Sequence, residues 1–136
     1  MEGVTANTSF PKKERLCGKT AISKLLAQGR HASVPGMRIL YMTETGNDHA
    51  RLLISVPKKI FKRAVKRNLY KRRIRESWRR QKHMLDVAKG VDILIIYSSK
   101  ELLSYEEIYS GIGLIIEKIN RQLSKNKTDE QIPADS

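Results

Sequence analysis

Between Lys58 and Lys82 the chain carries thirteen lysines and arginines and a single acid, Glu76. Such a segment cannot thread through a core, because charged side chains are almost never fully buried without partners. It must lie on the surface and hold to the protein by a narrow apolar edge. Tyr70, Ile74 and Trp78 recur at i, i+4 and i+8, the spacing of one helical face. The pattern predicts a helix from about Phe61 to Lys82. Asn68, Lys71, Arg72, Arg75 and Arg79 then share a second face, and Val65 and Leu69 form a smaller third, apolar patch. A helix that is charged only for solubility alternates acids with bases, since i,i+4 pairs stabilise it. Here the cations repel one another, so an outside polyanion is expected to neutralise them. Glu76 is expected to pair with Arg72 or Arg80, four positions away on either side.

The rest of the chain sharpens the contrast. In all, 27 Lys and Arg stand against 14 Asp and Glu among 136 residues, a net charge of +13. From His83 onward the balance is six basic to nine acidic residues, so one segment holds nearly all the excess. Nucleic acid is the default partner, because neutralising its phosphates releases condensed counterions. An anionic membrane is the competitor, but a membrane-surface or calmodulin-binding helix needs a broad exposed apolar face. No stretch reaches the roughly 18 to 20 apolar residues of a membrane span. Met1 to Phe10 lacks the apolar core of a signal peptide. Cys17 is the single cysteine and can form no internal disulfide, and His31, His49 and His83 show no metal-ligand spacing. The simplest placement is the reducing cytoplasm, with no membrane and no protein partner indicated.

The length suits one domain, and 40% hydrophobic residues suffice for a core. Residues 1–11 read as a flexible arm, 12–123 as a nucleic-acid-binding α/β domain (RNA-binding, on the resemblance given below) and 124–136 as a disordered tail. A short helix is predicted over about Lys19 to Gln28, with Ile22, Leu25 and Leu26 on one side and Gly29 as its stop. MRILYMT (Met37 to Thr43) and LLISV (Leu52 to Val56) read as strands, with a weaker one between Gly29 and Gly36. VDILIIY (Val91 to Tyr97) reads as a buried strand. Ser104 with Glu107 has capping-box spacing, opening a last helix that buries Ile108, Ile112, Ile115 and Ile119 to about Leu123. The order αβββαβα makes this an α+β chain, a single-domain α/β sandwich on one sheet.

The run Lys62-Arg63-Ala64-Val65-Lys66-Arg67-Asn68-Leu69-Tyr70-Lys71-Arg72-Arg73-Ile74-Arg75-Glu76 resembles the Arg-Asn-rich signature of the bacterial ribonuclease P protein family. Its pattern is Ala-Val, one residue, Arg-Asn, two residues, Lys-Arg, two residues, Arg-Glu, and each fixed position is present. The likeness extends over roughly Lys13 to Leu123. Arg15-Leu16, Leu40-Tyr41, Leu53-Ile54-Ser55-Val56-Pro57-Lys58-Lys59 and Val91-Asp92-Ile93-Leu94-Ile95 resemble the family's first helix start and three strands.

The resemblance implies a mainly antiparallel four-stranded sheet in which the basic helix joins parallel strands by a left-handed crossover, against the usual right-handed rule. It implies a protein that does not itself cut. The family's RNA subunit carries the active site and binds the catalytic Mg²⁺, while the protein contacts that RNA and grips the 5′ leader of precursor tRNA. Carried over, Arg63, Arg67, Asn68, Lys71, Arg72 and Arg75 would face the catalytic RNA, with Lys58 and Lys59 nearby. Lys66 and Arg79 belong to the same basic surface. The family's leader cleft lies between the sheet and the first helix, with aromatic rings on that helix. Arg15, Ile22, Leu26 and Tyr41 would stand there. Ile22 and Leu26 depart from the aromatic pattern and stack less specifically on bases, so core packing is expected of them.

Two rivals remain open at this level. One is a structural or ribosome-associated RNA-binding protein; the other is a stand-alone nuclease. Metal-assisted hydrolysis needs clustered carboxylates or histidines, and spacing suggests no partner for His31, His49, His83 or Cys17. Asp92, inside an apolar strand, is expected to satisfy a backbone or basic group.

Overall fold

The computed structural model describes residues 14–16, 18–47, 49–85, 90–99 and 101–131. The described residues form α1 (Lys19–Gln28), β1 (Arg30–Val34), β2 (Met37–Thr43), β3 (Ala50–Ser55), α2 (Ala64–Gln81), β4 (Val91–Tyr97) and α3 (Tyr105–Gln131). A short 3-10 turn, Lys82–Met84, follows α2. The bounds of α1, β2 and β4 are those read from the sequence. The basic helix starts later than expected, and α3 runs past Leu123. No Gly or Pro interrupts the chain between Ser124 and Gln131, and the first breaker is Pro133. The expected arm, residues 1–11, and residues 132–136 lie outside the described residues.

The sheet order is β1-β2-β4-β3. β1 pairs antiparallel with β2 through a two-residue turn, Pro35-Gly36, in which Gly36 takes φ 84°. Proline before a glycine of positive φ is the sequence such a turn favours. β2 pairs antiparallel with β4, placing Leu40 against Leu94. β3 and β4 run parallel, Leu53 against Leu94, and α2 makes the crossover between them. The sheet is therefore mainly antiparallel but mixed, and this crossover is the one whose left hand the resemblance implies.

Alternation along the strands sends side chains to two unequal layers. Met37, Ile39 and Tyr41 of β2 and Ile93, Ile95 and Tyr97 of β4 meet Tyr70, Ile74 and Trp78 of α2 and Ile108, Ile112, Ile115 and Ile119 of α3. On the opposite face Leu40 and Leu94 meet Leu25 of α1 and Leu16. Because both its faces are covered, β4 reads as a nearly continuous apolar run. Its one charge, Asp92, is 1% exposed and accepts two hydrogen bonds from Arg51 of β3, at 2.8 and 2.7 Å. A planar guanidinium against a carboxylate satisfies both partners in one geometry. Ser104 and Glu107 cap α3 reciprocally, the serine amide donating to Glu107 at 2.9 Å and the Glu107 amide to the serine hydroxyl at 3.1 Å.

Candidate nucleic-acid interface

Helix α2 turns Tyr70, Ile74, Ser77, Trp78 and Gln81 inward. Gln81 donates to the Tyr109 carbonyl of α3 at 2.9 Å, tying the two helices together. Arg73 lies on that same flank, over the Tyr70 ring at 5.1 Å and donating to the Leu103 carbonyl. The outward side carries the expected ridge. Asn68 and Arg72 are exposed, and Lys71, Arg75 and Arg79 are half-exposed. Val65 is 82% exposed rather than part of an apolar patch, because it projects away from the sheet; Leu69 packs at the core's edge.

The ridge is poorly neutralised from within. Glu76 bridges Arg79 at 3.0 Å and Arg80 at 2.9 Å, rather than Arg72. The Arg80 guanidinium is held even more firmly charged than usual, chiefly by its hydrogen bond to Glu76. Among the described residues, Lys71, Arg72 and Arg75 have no acidic partner. Three neighbouring cations without acidic partners make a strip of uncompensated positive charge along the helix.

The segment leading into α2 extends the strip. Lys58, Lys59, Lys62, Arg63 and Lys66 are all exposed. Phe61, between them, is buried and stacks on Tyr70 with ring centroids 4.9 Å apart, while Tyr97 closes the trio at 5.0 Å from Tyr70. The Tyr97 hydroxyl donates to the Glu101 carbonyl at 2.6 Å and accepts from the Leu103 amide at 3.2 Å. Burial pushes its pKa above the ordinary phenol value, so the ring stays neutral. Arg67 does not point outward. Its Nη1 donates to the carbonyls of Phe61 at 2.9 Å and Lys62 at 2.7 Å.

The expected leader residues are not brought together. Tyr41 is 6% exposed and lies in the α2–α3 layer, on the sheet face away from α1. Residue parity places it there: its neighbour Leu40 takes the α1 side. Leu26, expected in the core, is 58% exposed, because Leu25 and Ala21 already fill the contact with the sheet. Ile22 is half-buried against that smaller layer. Arg15 is exposed beside β3, where the next residue, Leu16, bonds the Leu52 carbonyl. An open pocket of about 680 Å³ lies instead beyond Leu40 and Leu94, lined by Arg38, Pro57, Lys59, Ile60, Ile96, Tyr97 and Ser98. Arg38 went unnoticed in the sequence. Its signal is a lone cation inside MRILYMT, on the α1 side of a strand otherwise rich in apolar residues.

Among the described residues, no group of three or more His, Cys, Asp or Glu side chains could hold a metal ion. None of the described helices is long and apolar enough to cross a membrane.

The sequence model of the ribonuclease P family matches residues 10–120. The chain belongs to the ribonuclease P protein family. It is 38% identical over 115 residues to the ribonuclease P protein component of Porphyromonas gingivalis, covering 82% of this chain and 72% of that one. With the Vibrio cholerae ribonuclease P protein component it shares 32% over 113 residues, covering 83% and 93%. The ribonuclease P protein structure of Thermotoga maritima superposes with a TM-score of 0.67 at 27% identity, over 78% of this chain and 97% of that one. That of Staphylococcus aureus gives 0.66 at 26%, over 78% and 96%. The protein is thus the protein subunit of ribonuclease P, a ribonucleoprotein endoribonuclease whose chemistry is carried by RNA.

Proposed function

We propose that the outer face of α2 and the Lys58–Arg63 loop bind the catalytic RNA of ribonuclease P, and that the α1 side of the sheet receives the 5′ leader of precursor tRNA. The observation that carries this is the row of unpaired cations Lys71, Arg72 and Arg75 on one helical face. Lys58, Lys59, Arg63, Lys66, Asn68 and Arg79 broaden the same surface. RNA phosphates supply the missing anions, and lysine or arginine between two RNAs lowers their mutual repulsion. The complex works in the cytoplasm, and its Mg²⁺ is held mainly by RNA.

For the leader, the Arg38–Lys59 pocket combines two cations with the apolar side chains of Ile60 and Ile96, a lining suited to an unstacked base and its phosphate. The exposed Leu26 belongs to the same side of the sheet, with Ile22 behind it, whereas Arg15 pairs with Leu52, whose side chain lies in the α2–α3 layer. Tyr41 has no part in this path.

A salt titration tests the RNA surface. Arg72→Ala with Arg75→Ala is expected to weaken binding to ribonuclease P RNA and to lower the slope of log affinity against log salt by about 1.5, roughly 0.7 to 0.9 per phosphate contact. A folded double variant with unchanged affinity and slope refutes the surface.

A further inference from the structure

We propose that Arg67 is a positioning residue, whose guanidinium ties the Lys58–Arg63 loop to the first turns of α2 and so sets where that loop's cations meet RNA. The inference rests on the RNA surface proposed above. It separates one arginine from its neighbours by geometry. Arg67 is half-buried, on the flank of α2 that faces the protein, while Asn68 and Arg72 face outward. A single nitrogen, Nη1, bridges two successive carbonyls, those of Phe61 and Lys62, both outside the helix.

The entrance to α2 has little else to hold it. Its N-cap residue is Arg63, with extended backbone and no side-chain cap bond, and the first turn has no acid. Ser, Thr, Asp or Asn usually satisfies the orphan amides at that position, and acids usually complement the positive end of the helix. Four exposed cations crowd the entrance instead, and each repels the others and the helix end. Two anchors oppose this. The Phe61 ring stacks on Tyr70, and the Ile60 and Phe61 amides bond the Pro57 carbonyl at 3.0 and 3.3 Å. The Arg67 bridge is the third, and the one that reaches Lys62, beyond the aromatic anchor. Lys58 and Lys59 sit between the Pro57 and Phe61 anchors; Lys62 and Arg63 sit between Phe61 and the helix. A loop held at these points presents its four charges in a fixed array, and preorganised charges bind without the ordering cost of a mobile segment.

A double-mutant cycle separates the two roles Arg67 could have. Affinity for ribonuclease P RNA is measured across a salt series for Arg67→Ala in two backgrounds. One is the natural chain; the other carries Lys58→Ala, Lys59→Ala, Lys62→Ala and Arg63→Ala. Amide exchange of residues 60–63 and the thermal midpoint are followed in each. A positioning role predicts a loss of about tenfold in the natural background and under about twofold in the second. Exchange at residues 60–63 also accelerates while the thermal midpoint of the domain is largely kept. An independent phosphate contact gives the same factor in both backgrounds, and that result overturns the proposal. Arg67→Lys keeps the charge on a shorter, unforked tip and carries the test if Arg67→Ala does not fold. If it restores affinity while residues 60–63 still exchange fast, the proposal also fails. If the fourfold background alone leaves affinity unchanged, it is the RNA surface of the loop that fails, a distinct outcome.

Discussion

The described charged side chains divide into those satisfied by the fold and those that find no acidic partner within it. Asp92 and Arg51 form the clearest satisfied pair, with Asp92 buried and both carboxylate oxygens accepting hydrogen bonds. Removing one partner of such a pair costs more than the pair contributes, because the other charge is stranded. Asp92→Ala should therefore lower the stability of the domain by about 3 kcal/mol, read as a shift in the urea midpoint. A loss under about 1 kcal/mol would mean that Arg51 finds water at no penalty. Lys82 is a second satisfied cation, paired with Glu14 at 2.6 Å, which fastens the start of the described chain to the end of α2. Lys71, Arg72 and Arg75 belong to the other class. Sequence spacing put these three on one face, because helical periodicity needs no tertiary knowledge. Spacing could not show that Arg67 turns to the Phe61 and Lys62 carbonyls, since that depends on the path of the loop before the helix. Nor could it show which side of the sheet Tyr41 occupies, since alternation assigns two faces without saying which one α1 covers.

Among the elements, those whose burial is complete or strictly one-sided were legible. β4 is buried along almost its whole length and β2 ends at an apolar-to-polar transition, so their bounds follow from composition. α1 is stopped by Gly29, whose amide bonds the Leu25 carbonyl at 2.8 Å as the chain turns into β1. α3 was legible at its start, where Ser104 and Glu107 cap it, but not at its end. Its apolar stripe runs out near Leu123, and a polar continuation carries no packing signal even though the backbone stays helical to Gln131. The core therefore depends on α3 as far as Ile119 and Leu123. A chain ending after Leu123 is expected to keep its thermal midpoint within a few degrees and its RNA affinity within about twofold, since isolated polar turns contribute little stability. A large fall in affinity with the fold intact would assign the segment after Leu123 to the RNA surface.

On the scale of the whole molecule, the αβββαβα order and its mixed sheet give the two helices on one face different work. α3 buries an isoleucine stripe and completes the core, while α2 spends a narrow Tyr70–Ile74–Trp78 edge on the core and gives the rest of its circumference to cations. The smaller α1 layer leaves part of the opposite face open around Arg38 and Ile96. The protein thus offers two surfaces that share Lys59, a cationic ridge along α2 and a cleft beside Arg38 and Ile96. The proposed role, holding two RNAs together, would use both. The most direct test is cleavage of precursor tRNA at low Mg²⁺ by ribonuclease P RNA from the same organism, with and without this protein, beside a control with protein alone. The account predicts correct 5′ maturation only when both components are present. Cleavage by the protein alone, or no stimulation by a folded protein that binds the RNA tightly, would contradict it.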